Sequence, residues 1–274
     1  MQTKLSPYAI ITALLTLWLS LAPVTGAAAD MALQQVLAGD QRTPEYTARD
    51  IYRHPQETLE FMGLRPDLTV IEILPGEGWY TEVLAPYLRD GGKLIAAGYG
   101  PDHPMERMRD YHAQYMEKLD ASPDVYDKVE RAVLWPAPFI GSVADGSVDM
   151  VLDFRNIHNF IRWDNITEDV FRAYYRVLKP GGILGVEEHR AKPGAIASEV
   201  ANTGYVPVAY VIELAQKVGF RLEGQSEINA NPKDTKDYPG GVWTLLPRLR
   251  TGDEDPEKYR VIGESDRMTL KFVK

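Results

Sequence analysis

The chain has 274 residues, with 30 basic against 39 acidic side chains, a net charge of −9 and no cysteine. Without cysteine there is no disulfide framework, no lipid-modified cysteine, no thiol catalysis and no Cys-ligated zinc. The acidic balance argues against nucleic acid or an anionic membrane as the main partner, because both need a basic face.

The first 29 residues read as a targeting segment. Lys4 is their single charge, Ala9 to Leu21 is nearly unbroken apolar sequence, and Ala27-Ala28-Ala29 precede Asp30. A basic start, a short apolar core and a small-residue end are the marks of a secretory signal peptide. The apolar run is shorter than the ~20 residues that a spanning helix needs. The expectation is therefore a periplasmic mature chain from Asp30 to Lys274, with no stable membrane anchor after cleavage.

Residues 30–65 read as a small N-terminal helical cap. Pro55 opens a helix (PQETLEFM) and Gly63 stands where a C′ glycine would end it. Arg49, Asp50, Arg53 and His54 precede it, and are read as helix-capping and surface-pairing groups. From residue 66 the pattern changes. Short β-branched runs recur at Thr69 to Leu74, Lys93 to Ala97, Val129 to Leu134, Val148 to Phe154 and Ile183 to Glu188, as for buried parallel strands. Two more follow at Phe220 to Ile228 and Met268 to Val273. Helical patterns fall between them at Met105 to Leu119, Ile166 to Leu178 and Val206 to Val218. Such alternation means βαβ units around a mostly parallel sheet with helices on both faces. The long polar stretch from Asn229 to Gly263 is too long to be idle in a compact domain.

The first strand leads into a Gly-rich turn and a helix (VIEILPGEGWYTEVL). That arrangement aims backbone N–H groups at a polar ligand. No Gly-Lys-Ser/Thr follows, so it is not a phosphate loop, and Thr81 stands where a dinucleotide fingerprint needs its third glycine. Glu72-x-Leu74-x-Gly76-x-Gly78 resembles the acidic-x-Gly-x-Gly-x-Gly signature of class I S-adenosylmethionine (SAM)-dependent methyltransferases. Leu178-Lys179-Pro180-Gly181-Gly182 is similar to their turn into the fifth strand, and Gly146-Ser147-Val148-Asp149 to the start of the fourth. The resemblance runs from Thr69 to Lys274. RDIYRHPQETL, FRNIHNFI and ESDRMTLKF resemble, more narrowly, a group of exported bacterial methyltransferase-like proteins.

The resemblance implies a Rossmann-like α/β fold with a seven-stranded sheet over residues 66–274. It implies SAM as cofactor, held by Glu72, Gly76, Glu77, Gly78, Tyr80, Trp135 and Asp153. It also implies a small-molecule or envelope acceptor. Three departures stand out. Leu74 replaces a glycine and precedes Pro75, which favours extended backbone at Leu74. Gly98 occupies the place of the carboxylate that bonds the ribose. Trp135 and Pro136 stand where an acidic residue often meets the adenine. Ligands of open α/β sheets bind beyond the carboxyl ends of the strands. Among the residues there, His158 and His189 are the candidates for a catalytic base, and of Glu187 and Glu188 strand alternation turns one to each face. His158, His189 and a nearby carboxylate could also bind a metal, as the resemblance to catechol-type methyltransferases implies. No His-Glu-x-x-His or comparable spacing supports it, and no metal is assigned. Two alternatives stay open: a non-catalytic periplasmic binding module with an eroded cofactor site, and another reaction on the same fold.

Overall fold

The computed structural model describes residues 26–274. The expected targeting segment lies outside the described residues except for 26–29, which open the first helix. Among the described residues, no helix is long and apolar enough to cross a membrane. In chain order, α1 (Gly26–Leu37), α2 (Pro44–Thr47), α3 (Asp50–Arg53) and α4 (Pro55–Met62) precede β1 (Thr69–Ile73). Helix α5 (Thr81–Leu88) leads to β2 (Lys93–Tyr99), and α6 (Glu106–Ala121) with α7 (Pro123–Tyr126) leads to β3 (Glu130–Trp135). After β4 (Val148–Phe154) come α8 (Ile157–Arg162), α9 (Thr167–Val177) and β5 (Leu178–His189). Helices α10 (Ala197–Val200) and α11 (Val208–Val218) precede β6 (Arg221–Ser226), and α12 (Glu257–Arg260) sits in the connection to β7 (Arg267–Val273).

The sheet order is β3-β2-β1-β4-β5-β7-β6. The first five strands run parallel, and β7 is antiparallel to both β5 and β6. Successive side chains of a strand point to opposite faces, and the two cores follow that rule. Val70, Leu94, Met150 and Leu152 pack with residues of α1 and α4 to α7 on one face. Ile71, Ile73, Ile95, Ala97 and Val151 pack with α8, α9 and α11 on the other. Burying both faces is what makes these strands read as continuous apolar runs. The PQETLEFM helix occupies Pro55–Met62 as its sequence dictates, and Gly63 ends it at φ 83°. The short α8 has no separate signal in the sequence, since six residues hold less than two turns of pattern.

Candidate active site

Strand β1 ends at Ile73, and the turn that follows departs from the expected extended geometry. Leu74 sits at φ 42°, the left-handed region that a glycine would enter freely. Its N–H still bonds the Ala97 carbonyl at 2.9 Å and its side chain is buried in the core, so tertiary contacts override the pre-proline preference. Gly76 (φ 61°) has no atom within 4 Å of where a Cβ would stand. Gly78 (φ 81°) instead backs onto α6, where a Cβ would meet Lys118 at 3.2 Å and Tyr115 at 3.3 Å. Gly76 thus borders open space, and Gly78 allows helix packing. Glu72 is buried and accepts a 2.6 Å hydrogen bond from the Thr81 hydroxyl. Burial pushes its carboxyl up to about 7, and the Thr81 bond offsets only part of that.

Beyond this turn lies a cavity of about 300 Å³. Glu72 to Glu77, Trp79 and Tyr80 form one wall, Tyr99 and Tyr111 another, and Phe154 to Asn156 with His158 and His189 the far side. Tyr46, Arg49 and Arg53 close it from the N-terminal cap, and Val242, Trp243 and Leu246 to Arg248 from the long loop. Tyr80 stacks on Phe154 with ring centroids 3.6 Å apart and donates to Glu187 at 3.3 Å.

One end of the cavity is rich in arginine. Arg49 and Arg53 reach Glu264 at 2.6 and 3.2 Å, and Arg267 reaches it at 2.8 Å. Arg267 and Arg155 reach Glu187 at 3.0 and 2.8 Å. Burial opposes the Glu264 charge, yet the three arginines hold its carboxyl well below the usual range. Burial and then Arg155 push the Arg53 guanidinium down to about 9. Four arginines share two carboxylates here, so the local charge favours an anionic ligand group.

The histidines adjoin this cluster, with His189 opposite Arg267 in the β5–β7 register. The rings of His158 and His189 lie 5.7 Å apart between centroids, and both border the cavity. Glu188, wholly buried, accepts the His158 and His189 backbone N–H groups at 3.2 and 2.8 Å and approaches His158 Nδ1 at 3.3 Å. His189 Nδ1 meets Ser265 Oγ at 2.5 Å. Burial, and next the His158 ring, hold the His189 imidazole well below its ordinary pKa.

The cavity therefore gathers Glu72, Gly76, Glu77, Tyr80, His158 and His189 from the sequence-predicted set. Gly78, Trp135 and Asp153, which the resemblance also places at the cofactor, are not among the residues that line it. Trp135 stacks on Trp163 at 5.5 Å instead. Asp153 is wholly buried, accepts hydrogen bonds from Asn156 and Tyr174 at 3.0 Å each, and is pushed up to about 7 by burial and by Glu188. Arg49 and Arg53 are not surface-pairing groups, because both pair with buried Glu264 at the cavity wall. Sequence reasoning missed Tyr46 and Trp243 as well. The length of the 229–263 loop was the one available signal for Trp243.

No family model and no curated protein matches this chain in sequence. Solved structures do match. A SAM-dependent methyltransferase from Aquifex aeolicus aligns over 89% of this chain and 97% of its own at 16% identity, with a TM-score of 0.53. The 4+2 cyclase SpnF aligns over 90% and 93% at 14% identity, with a TM-score of 0.58. An arsenic(III) S-adenosylmethionine methyltransferase from Chlamydomonas reinhardtii aligns over 88% and 72% at 17% identity, with a TM-score of 0.51. The chain has the fold of the class I SAM-dependent methyltransferases. Within that fold, its cavity lies beyond the carboxyl ends of β1, β2 and β4, against the glycine turn.

Proposed function

We propose that the protein is a SAM-dependent methyltransferase acting on a small-molecule or envelope acceptor. The observation that carries this is the open face of Gly76 at a cavity of about 300 Å³, the turn at which this fold presents backbone N–H groups to a polar ligand. The residues present fit SAM. Gly76 and Glu77 supply the close backbone approach, Tyr80, Tyr99 and Tyr111 supply apolar surface, and the arginine-rich end suits a carboxylate. Bound SAM supplies an electrophilic methyl group. The chain's part is positioning, worth up to ~7–11 kcal/mol in a displacement reaction. Tyr46, Trp243 and Leu246 from the cap and loop exclude water, while His158 and His189 border the acceptor end.

Calorimetric titration with SAM and with S-adenosylhomocysteine tests the reading. Wild type is expected to bind both, and Gly76→Val to bind neither while keeping the wild-type circular dichroism spectrum. Failure of wild type to bind either at millimolar concentration leaves a binding module without turnover, a reading that Gly98, where no carboxylate faces the ribose, favours. Export is part of the proposal and rests on Lys4, the Ala9 to Leu21 run and Ala27 to Ala29. Sequencing the N-terminus of the periplasmic fraction should return Asp30, and a soluble cytoplasmic protein beginning at Met1 overturns it.

A further inference from the structure

We propose that His158, Glu188 and His189 form a binding site for one divalent first-row transition-metal ion at the acceptor end of the cavity. One ligand atom from each residue lies within 4.8 Å of the other two. The three come from two neighbouring strand ends. His158 is in the first turn of α8, just after β4, and Glu188 and His189 are the last residues of β5.

Three observations point to a cation between them. Glu188 is a wholly buried carboxylate, and among the described residues no lysine or arginine pairs with it. Buried charges are ordinarily paired or bound to metal. Its approach to His158 Nδ1, 3.3 Å to one oxygen and 3.4 Å to the other, is long for a charge-assisted hydrogen bond. It matches the ligand-to-ligand edge of a tetrahedral site, ~3.3 Å for metal–ligand bonds of ~2.0–2.1 Å. Finally, the Ser265 hydroxyl against His189 Nδ1 is the outer partner that metal-bound histidines characteristically have, and it leaves Nε2 as the free donor.

The nearby positive charge is already engaged. Arg155 is held by Glu187, and Arg267 by Glu187 and Glu264. Two imidazoles and one carboxylate select zinc, iron(II), cobalt(II) or manganese(II) over magnesium and calcium, which prefer all-oxygen sites. Both histidines border the cavity while Glu188 lies beneath them. The site therefore keeps an open coordination position facing the acceptor, where a metal lowers the pKa of a bound hydroxyl or water.

The site requires no SAM, so its test is made without it and fails or succeeds separately from the methyltransferase reading. The chelator-treated mature protein is titrated with cobalt(II), followed by visible absorption, and then with zinc(II). Expected are one equivalent of cobalt(II), an intense visible band of a low-coordinate site, and loss of the band on adding one equivalent of zinc(II). His158→Ala and Glu188→Gln should abolish the band. Ser265→Ala, which keeps all three ligands, should weaken cobalt(II) binding about 10–100-fold. The control His112→Ala, at a half-buried histidine of α6 that is none of the three ligands, should match wild type. Only the pale spectrum of hydrated cobalt(II) with wild type, or a band that survives in a folded His158→Ala, His189→Ala double variant, overturns the proposal.

Discussion

Leu74 and Gly98 exchange the roles that the glycine turn leads one to expect. Leucine takes a left-handed backbone at φ 42°, which costs roughly 1–2 kcal/mol for a side chain with a Cβ. That cost is offset because the side chain is 7% exposed and packed in the core. Gly98, by contrast, lies outside the left-handed region, and nothing stands within 4 Å of a Cβ built there. A side chain is therefore absent from a place that has room for one, beside Leu74, Pro75 and Gly76. Gly98→Asp should restore an acceptor for the ribose hydroxyls. Since a hydrogen bond to a charged group contributes about 1.5–3 kcal/mol, SAM should bind roughly ten- to a hundredfold more tightly. Calorimetry on the folded variant checks this, and an affinity unchanged or weakened means that no ribose lies at the end of β2. Gly98 was legible in the sequence as a departure. That its space is empty was not, because vacancy depends on neighbours from β1 and α6.

At the scale of elements, one carboxylate gathers the cap residues that close the cavity onto the last strand. Glu264 joins Arg49 and Arg53, which lie 215 and 211 residues away in the chain, to Arg267 of β7. It is 4% exposed, and neutralising it leaves two buried guanidinium groups, Arg53 and Arg267, and the half-buried Arg49 without their shared carboxylate. Breaking such a buried pair typically costs about 3–5 kcal/mol. Glu264→Gln should lose stability of that order in urea denaturation and should expose residues 30–65 to limited proteolysis. A loss below about 1 kcal/mol would mean that the cap is held by its other contacts, the Thr43 bonds to Glu82 and the apolar packing of Leu33, Leu59 and Met62 among them. The helix and strand positions were legible because each carries its own period and punctuation. The partnership of Arg49 and Arg53 with Glu264 was not, because no local pattern marks a contact across more than two hundred residues.

Across the whole molecule, buried carboxyls divide into two groups with opposite effects on stability. Glu264 and Asp266 are held below their ordinary values. Their stabilisation is present above the unfolded carboxyl range near 4 and is lost as pH falls. Glu72 and Asp153 are raised to about 7. Their contribution is complete below the unfolded range and is lost as pH rises through about 7. His189, held neutral, works in the opposite sense below its unfolded pKa of ~6.5, so a difference between variants is the clean measurement. Glu72→Gln should gain stability relative to wild type between pH 5 and pH 8, on the order of 2–3 kcal/mol. Urea denaturation at the two pH values checks it, and an equal difference at both means that Glu72 titrates as an exposed carboxyl does.

The sequence by itself determined the α/β alternation, the glycine turn after β1 and the approach of His158 and His189, which follows from their places at neighbouring strand ends. These are consequences of period, turn chemistry and strand adjacency, all carried by nearby residues. Only the tertiary structure decided which glycine faces the cavity, that Trp135 stacks on Trp163 and Asp153 bonds Asn156 and Tyr174, and that the cap and the 242–248 segment close it. Those outcomes depend on which side chains meet across the sheet and the loops. Packing and buried charge pairing select such contacts only once the whole chain is folded.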